Sequence, residues 1–237
     1  HEALVEMATV IQRAVHAVDP SVRLGLMTVG HAFHALEGRF TTDLLRALDP
    51  EGTRWLRPGS GFWTDDAPLE VVRKTEDCVR QIATAGPGVR PVSEVENYPC
   101  SRATKSLSML RLEMTLNALA GFDDQSLNLF HTLGGVSGTD GVSMDCAPAY
   151  GPGYDEVLAG LKPWLDALCD TRTGMKRCGV GVAADERAGM FYLGRGEWGA
   201  PPSWSSVLAR LGVPLGAPER APHFVSDAMA EVLSESE

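Results

Sequence analysis

Four segments with the character of β-strands recur along the chain at a nearly constant interval, and this recurrence constrains the fold more than any other feature. They begin near residues 22, 53, 89 and 126, which are 31, 36 and 37 residues apart. Each interval has the length of one strand–loop–helix repeat. Such repeats build parallel sheets with right-handed crossovers. The sequence therefore predicts an α/β fold, and the spacing fits both a doubly wound sheet and a (β/α)8 barrel.

Helical periodicity and turn residues locate the remaining elements. Amphipathic helices are expected at residues 2–18, 40–48, 104–120 and 154–168. A further helix is expected between a cap at Asp65 or Asp66 and the glycines at 86 and 88, with its inner face between Val71 and Ile82. After residue 170 the pattern changes, and it predicts strands at 178–183, 188–193 and 224–225 with helices at 203–211 and 227–233. We therefore expect two domains, one at 1–170 and the start of a second α/β domain at 174–237 that is too short to be complete.

Composition and charge exclude several classes of function. The chain has 237 residues, of which 44% are hydrophobic and 22% charged, as in an ordinary globular protein. No apolar run approaches the ~18 residues that would cross a bilayer, so no membrane partner is expected. The net charge of −10 provides no basic patch for a nucleic acid. A neutral or cationic small molecule is the easier partner.

Cysteine usage and the first residues bear on the cellular compartment. Five cysteines without a CxxC spacing are typical of free thiols in a reducing compartment. Residues 1–18 mix charged and polar side chains into the apolar positions and do not resemble a signal peptide. We therefore expect a cytoplasmic protein. The glycine-rich stretch at 134–141 lacks the Lys-Ser/Thr of a phosphate loop, and no cofactor is expected.

The third strand carries the most informative residues. Side chains alternate along a strand, so Glu94 and Glu96 share one face, while Ser93 and Val95 share the other face, against the helices. Glu96 lies at the carboxyl end, where active sites of parallel α/β folds and barrels are found. Two acids on one face are costly to bury unless they are paired or hydrogen-bonded. The alternative is a structural ion pair of one acid with Arg57, Arg90 or Arg102.

The other strand ends are polar and aromatic as well. Aromatic rings beside carboxylates, amides and imidazoles suit a sugar, because a sugar ring has an apolar face and a rim of hydroxyls. The residues concerned are His31 and His34 after the first strand, Phe62 and Trp63 after the second, and Asn128 and His131 at the fourth. Asp65 and Asp66 are interpreted as caps of the helix that follows. The histidines lack a characteristic ligand spacing, so no metal site is predicted.

The order of these segments resembles the second half of a (β/α)8 barrel of the retaining glycoside hydrolases, of the kind seen in family 42 β-galactosidases. The matching segments are Arg23–Met27, Leu56–Pro58, Glu94–Pro99 and Leu127–Phe130. In that group the seventh strand ends in an apolar residue, Glu, a polar residue, one further residue and Pro, and Val95–Pro99 has this pattern. The resemblance implies that Glu96 is the nucleophile and Glu94 a deeper acid. Ser101, Arg102 and Lys105 extend it toward the next helix.

The resemblance also implies a substrate, a mechanism and an assembly. The substrate would be a β-glycoside, hydrolysed through a covalent glycosyl-enzyme. Tyr98, Arg57 and Asn128 would keep Glu96 ionised, and Trp63 and Phe62 would stack on the sugar. The remaining expected substrate contacts are Asn97, His31, His131 and Arg102. The region after residue 174 is similar to the next domain of that family, which is Rossmann-like, resembles a glutamine amidotransferase without its active site and makes trimer contacts, so a homo-oligomer is expected.

The chain departs from the family at one important point. On this alignment residues 22–131 supply strands five to eight, and strands one to four have no counterpart. The general acid/base of the family is a Glu after an Asn at the end of strand four, and no Asn-Glu pair occurs before Val22. We therefore expect the acid/base to lie outside this sequence, and we expect the chain to be part of a longer protein. The alternative is that the chain forms a self-contained open sheet of four to six strands.

Two other functions remain open. One is a non-catalytic carbohydrate-binding or scaffold protein that has kept the barrel and lost the acid/base. The other is a metal-dependent hydrolase on a barrel, with His31, His34 and His131 as ligands. Sugar binding without turnover would favour the first, and loss of activity on chelation would favour the second.

Overall fold

A computed structural model gives the architecture and describes residues 1–29, 31–59, 65, 67–96, 105–128, 152–191, 204–216, 224–225 and 227–234. Four strands form a parallel sheet in the order β1-β2-β3-β4. They are β1 Gly25–Met27, β2 Arg54–Arg57, β3 Val89–Val95 and β4 Asp124–Leu127. The α-helices among the described residues are α1 Glu2–Val18, α2 His31–Leu36, α3 Thr41–Leu48, α4 Glu70–Thr84, α5 Leu107–Ala120, α6 Tyr154–Arg172, α7 Trp204–Arg210 and α8 Asp227–Ser234.

The strand recurrence in the sequence corresponds to real strands. Each strand begins within three residues of its expected position, and the predicted α/β class is confirmed. The order of the strands is sequential. A doubly wound sheet would instead reverse its order at a switch point.

The chain forms two compact units. The first unit comprises His1–Gly59, Glu76–Val92 and Lys176–Glu237, and the second comprises Ser60–Thr75 and Ser93–Met175. Strand β3 therefore begins in the first unit and ends in the second. The domain division predicted near residues 170–174 stays a prediction.

In the first unit, helices cover one face of β1 and β2. The buried side chains form two clusters, Ala8 with Leu44 and Leu48, and Leu45 with Leu56 and Ala85. Leu26 of β1 borders both clusters, and Val89 of β3 borders the second. Leu56 is completely buried. Burial of a leucine side chain contributes about 1.5–3 kcal/mol, so this strand is held firmly against α3.

The opposite face of the same strands carries different side chains. Gly25 lies beside Trp55 in the strand register, and Trp55 lies beside Arg90. The guanidinium carbon of Arg90 is 4.4 Å from the centre of the Trp55 ring, a cation–π contact. A Cβ atom at position 25 would lie 2.7 Å from the Trp55 Cβ. Only glycine fits beside this tryptophan without a shift.

In the second unit, α5 and α6 pack on the end of β3. Val95, Leu110, Met114 and Leu161 form the buried cluster, with Leu127 of β4 at its border. Val89 and Val95 are six residues apart, and side chains an even number of residues apart lie on the same face of a strand. The core side chains of β3 therefore point to one face.

Local interactions set the ends of α5. The Ser106 side chain accepts a hydrogen bond from the Met109 N–H at 3.1 Å, and Gly121 ends the helix at a φ of +116°. An L side chain at Gly121 would be strained. The end at Gly121 agrees with the sequence, whereas the cap at Ser106 was not predicted.

The final part of the first unit has α/β character. Val180 pairs in parallel with Leu215, and Val182 pairs in parallel with Phe224. Helices α7 and α8 follow the positions expected from the sequence. The strand expected at 188–193 is wrong, because Glu186–Phe191 forms a 3-10 helix. The carboxylate of Asp185 accepts the Arg187 N–H at 2.8 Å and turns the chain at this point.

Two further expectations differ from the structure. Helix α2 occupies His31–Leu36, between the first predicted strand and the helix predicted at 40–48, where no helix was expected. Asp65 does not cap α4, which begins at Glu70, but accepts the backbone N–H of Ser106 at 3.0 Å. Asp66 lies outside the described residues. Among the described helices, none combines the length and the apolar character needed to cross a membrane.

Candidate functional site

The candidate site lies at the carboxyl end of β3, in the second unit. Ser93 and Val95 are buried, and Glu94 and Glu96 are half-buried between and after them. This alternation places Glu94 and Glu96 on the face opposite the α5–α6 core. Two carboxylates two residues apart on one face can bind hydroxyl groups or act on a bond between them.

A buried ion pair anchors the main chain at this point. The Lys105 ammonium lies 2.7 Å from the Glu113 carboxylate and also donates to the carbonyl oxygen of Glu96. Both side chains are almost wholly buried. Lys105 thus connects the end of β3 to the second turn of α5, and it fixes the backbone of Glu96.

The charge of Lys105 depends on its neighbours. Burial lowers the pKa of the Lys105 ammonium, and the negative charges of Glu113, Glu96 and Asp65 oppose this shift. Asp65 also holds the chain just before α5, through Ser106. The acid carboxylates and the lysine therefore form one electrostatic group around the end of β3.

Asn128 lies beside the same strand end. Its backbone N–H donates to the carbonyl oxygen of Val95 at 3.0 Å, and its side chain is half-buried. Among the residues predicted for substrate binding, the structure thus brings Asn128 to the strand end that carries Glu94 and Glu96. An amide here can donate to a carboxylate or to a sugar hydroxyl.

Comparisons were made with protein-family models, curated proteins and solved structures. No match was found in any of the three.

Lys74 lies close enough to the Lys105–Glu113 pair to be affected by both charges, and its partial burial was not predicted from the sequence. Its side chain is half-buried on α4 and makes no hydrogen bond or ion pair with any residue that the structure describes. Burial, together with the charge of Arg73, lowers the pKa of Lys74 to about 8, while Glu70 and Glu113 oppose the shift. The sequence did contain a signal, because Lys74 falls three residues after Val71 and four before Cys78, both of which are buried.

Several predicted site residues cannot be placed. Asn97, Tyr98, Phe62, Trp63, Arg102 and His131 lie outside the described residues, and so does the side chain of His31. Arg57 is half-buried in β2 of the first unit. The predicted contacts of these residues with a sugar stay predictions.

His34 has a structural partner. It is buried in α2, and its Nε2 atom accepts the Val29 N–H at 2.9 Å. The proton of the neutral ring is therefore on Nδ1. Burial and the charge of Arg39 lower the pKa of His34. Within the described residues, no group of three or more His, Cys, Asp or Glu side chains is arranged to hold a metal ion.

Proposed function

We propose that residues 1–170 of this chain are the carboxyl-terminal half of the barrel of a retaining glycoside hydrolase, similar to family 42 β-galactosidases, with Glu96 as the nucleophile. The observation that carries the proposal is the half-buried pair Glu94 and Glu96 at the carboxyl end of β3, on the face away from α5 and α6. Catalytic residues of β/α barrels occupy this position.

The topology supports the same proposal. Sequential parallel strands joined by right-handed crossovers place their helices on one side of the sheet. The strand order β1-β2-β3-β4 fits that arrangement, and so does the position of Val89 and Val95 on one face of β3. The other face would line the interior of the barrel, and at the carboxyl end of β3 it carries Glu94.

In the proposed reaction the Glu96 carboxylate attacks the anomeric carbon as the glycosidic bond breaks. A second carboxyl group, supplied from outside this sequence, protonates the leaving oxygen and then removes a proton from water. A retaining enzyme holds the two carboxyl groups about 5–5.5 Å apart. Lys105 would contribute by fixing the main chain of Glu96, because a nucleophile must be held close to its reactive geometry.

A trapping experiment tests the assignment of Glu96. The protein is incubated with 2,4-dinitrophenyl 2-deoxy-2-fluoro-β-galactoside, whose leaving group needs no general acid, and its intact mass is measured. We expect a gain of one fluorosugar, mapped by peptide mass spectrometry to Glu96 and absent from Glu96→Gln. Glu94→Gln is the matched control and should still be labelled. An adduct on another residue, or unchanged turnover in Glu96→Gln, would end the nucleophile assignment.

A carbohydrate-binding or scaffold protein is the second candidate. It is favoured by the placing of Asn128 beside the half-buried Glu94 and Glu96 at the end of β3, because amide and carboxylate groups can bind sugar hydroxyls without breaking a bond. For this candidate we expect saturable binding of a simple β-galactoside by calorimetry with no fluorosugar adduct. Trapping on Glu96 would exclude it.

A further inference from the structure

Helix α1 carries a second apolar face, which is exposed. Its core-facing residues Leu4, Val5 and Ala8 pack with α3. Another row of apolar side chains, which we call the α1 stripe, runs along the helix at alternating intervals of four and three residues. It consists of Ala3, Met7, Val10, Ala14 and Ala17, all of them exposed, with Ile11 and Val18 beside it.

This face is unusual for a surface helix, which normally has one apolar face and is otherwise polar. Met7 and Val10 are 54% and 58% exposed, and Ile11 is 45% exposed. The alternation of four and three residues is the spacing of the apolar seam in a coiled coil. A continuous exposed apolar surface of this kind marks an interaction site. The spacing indicates that its partner is a second helix.

Two opposite charges border the stripe on the side away from the core-facing residues. Glu6 precedes Met7, and Arg13 precedes Ala14, so each charge holds the same position beside its stripe residue. Both side chains are exposed, and neither makes an ion pair with any described residue. They are seven residues apart, about 10 Å along the helix axis, which is too far for them to bond to each other.

We propose that the α1 stripe binds a second copy of this chain, with the two α1 helices antiparallel. In this arrangement Met7 packs against the partner subunit's Val10, and Ala3 packs against the partner subunit's Ala14. Two-fold symmetry repeats both contacts. The alanines at the outer positions allow the two backbones to approach closely. The inference does not depend on the proposed glycosidase function.

The two charges select both the occupant and its orientation. In the antiparallel pair Glu6 lies opposite the partner subunit's Arg13, and symmetry gives two such pairs. A parallel pair would instead place Glu6 against Ile11 and Arg13 against Val18. Charges that flank an apolar seam set the choice and orientation of the partner helix. The stripe is therefore complementary to itself in the antiparallel arrangement only.

Sedimentation equilibrium of the full chain tests the proposal. A single pair of helices is small beside a standard interface, so we expect a reversible dimer of the 25.4 kDa chain with a dissociation constant of roughly 1–100 μM. Val10→Lys should weaken association at least about tenfold, because each dimer would bury two ammonium groups. Leu119→Lys is the matched control, since Leu119 is 53% exposed on α5, and it should change the constant less than about twofold. A monomer at about 500 μM, a trimer, or equal effects of the two variants would overturn the proposal.

Charge exchange tests the antiparallel arrangement. Glu6→Arg and Arg13→Glu each place two pairs of like charges across the interface, so each should weaken the dimer at least about fivefold. The double variant restores opposite charges and should return to within about threefold of the original constant. The single variants change the net charge in opposite directions, so an effect of net charge alone would have opposite signs in them. Circular dichroism would confirm that α1 is kept. Single variants without effect, or a double variant no better than either one, would overturn the proposal.

Discussion

The buried ion pair between Lys105 and Glu113 gives a quantitative prediction of stability. The two side chains are 0% and 2% exposed, and their charged atoms are 2.7 Å apart. At this distance an effective dielectric constant of about 20 gives an attraction of roughly 6 kcal/mol, which opposes the cost of removing both charges from water. We expect Glu113→Gln to lower the free energy of unfolding by about 3–5 kcal/mol, because the Lys105 ammonium then stays buried without its nearest counter-charge.

The chain provides a matched control for this prediction. Lys162 and Asp166 are 2.6 Å apart, but their side chains are 74% and 59% exposed. Asp166→Asn should therefore cost no more than about 0.5 kcal/mol. The double variant Lys105→Met with Glu113→Leu should recover most of the loss of Glu113→Gln, since no unpaired charge remains. Urea unfolding followed by tryptophan fluorescence at pH 7 measures all of these values.

Two results would refute the reasoning. The first is a loss in Glu113→Gln that lies within about 0.5 kcal/mol of the loss in Asp166→Asn, which would mean that burial does not determine the strength of the pair. The second is a double variant as unstable as Glu113→Gln, which would assign the loss to packing rather than to the isolated charge.

Three further predictions concern other parts of the chain. The pKa of His34 is lower in the folded state, so the contribution of the neutral ring to the free energy of unfolding is fully present above about pH 6.5 and is lost as the pH falls below that value. His34→Gln should weaken this pH dependence, measured as the urea midpoint between about pH 7.5 and about pH 5.5. Gly25→Ala should lower the free energy of unfolding by about 1–3 kcal/mol, because the new Cβ would clash with Trp55. In the control Gly160→Ala, the new Cβ meets no atom within 4 Å in α6, and thermal unfolding should show a gain of up to about 1 kcal/mol. Ser106→Ala should cost about 1 kcal/mol by the same assay, through loss of the α5 cap, and an unchanged melting temperature would contradict that role.

The longer elements could be predicted because their pattern is local. Strand alternation and helical spacing place β1 to β4 and the long helices within a few residues. Helix α2 and the 3-10 helix at Glu186–Phe191 escaped prediction because each has only six residues. They pack against each other although about 150 residues of sequence separate them. Packing of this kind has no signature within either segment.

The sequence could predict the candidate site only for side chains whose position follows from the regular geometry of the backbone. Glu94 and Glu96 fall on one face because a strand alternates. The Lys105–Glu113 pair depends on the entry of the chain into α5, and a local pattern does not indicate that these charges are buried together. Asp65 was expected to cap the nearest helix, yet it binds Ser106, 41 residues later. Lys74 could have been noticed as a charged residue at an apolar position of α4.

The close approach of Gly25 to Trp55 also bears on how this sequence can change over evolutionary time. A Cβ at position 25 would lie 2.7 Å from the Trp55 Cβ and 2.8 Å from the Trp55 carbonyl oxygen. Every residue at position 55 has that carbonyl oxygen, and every residue except glycine has that Cβ, so a smaller side chain there does not make room for alanine at position 25. Position 25 is thus expected to stay glycine whatever residue stands at position 55, and a set of aligned relatives with larger residues at position 25 would show that β1 and β2 pair differently.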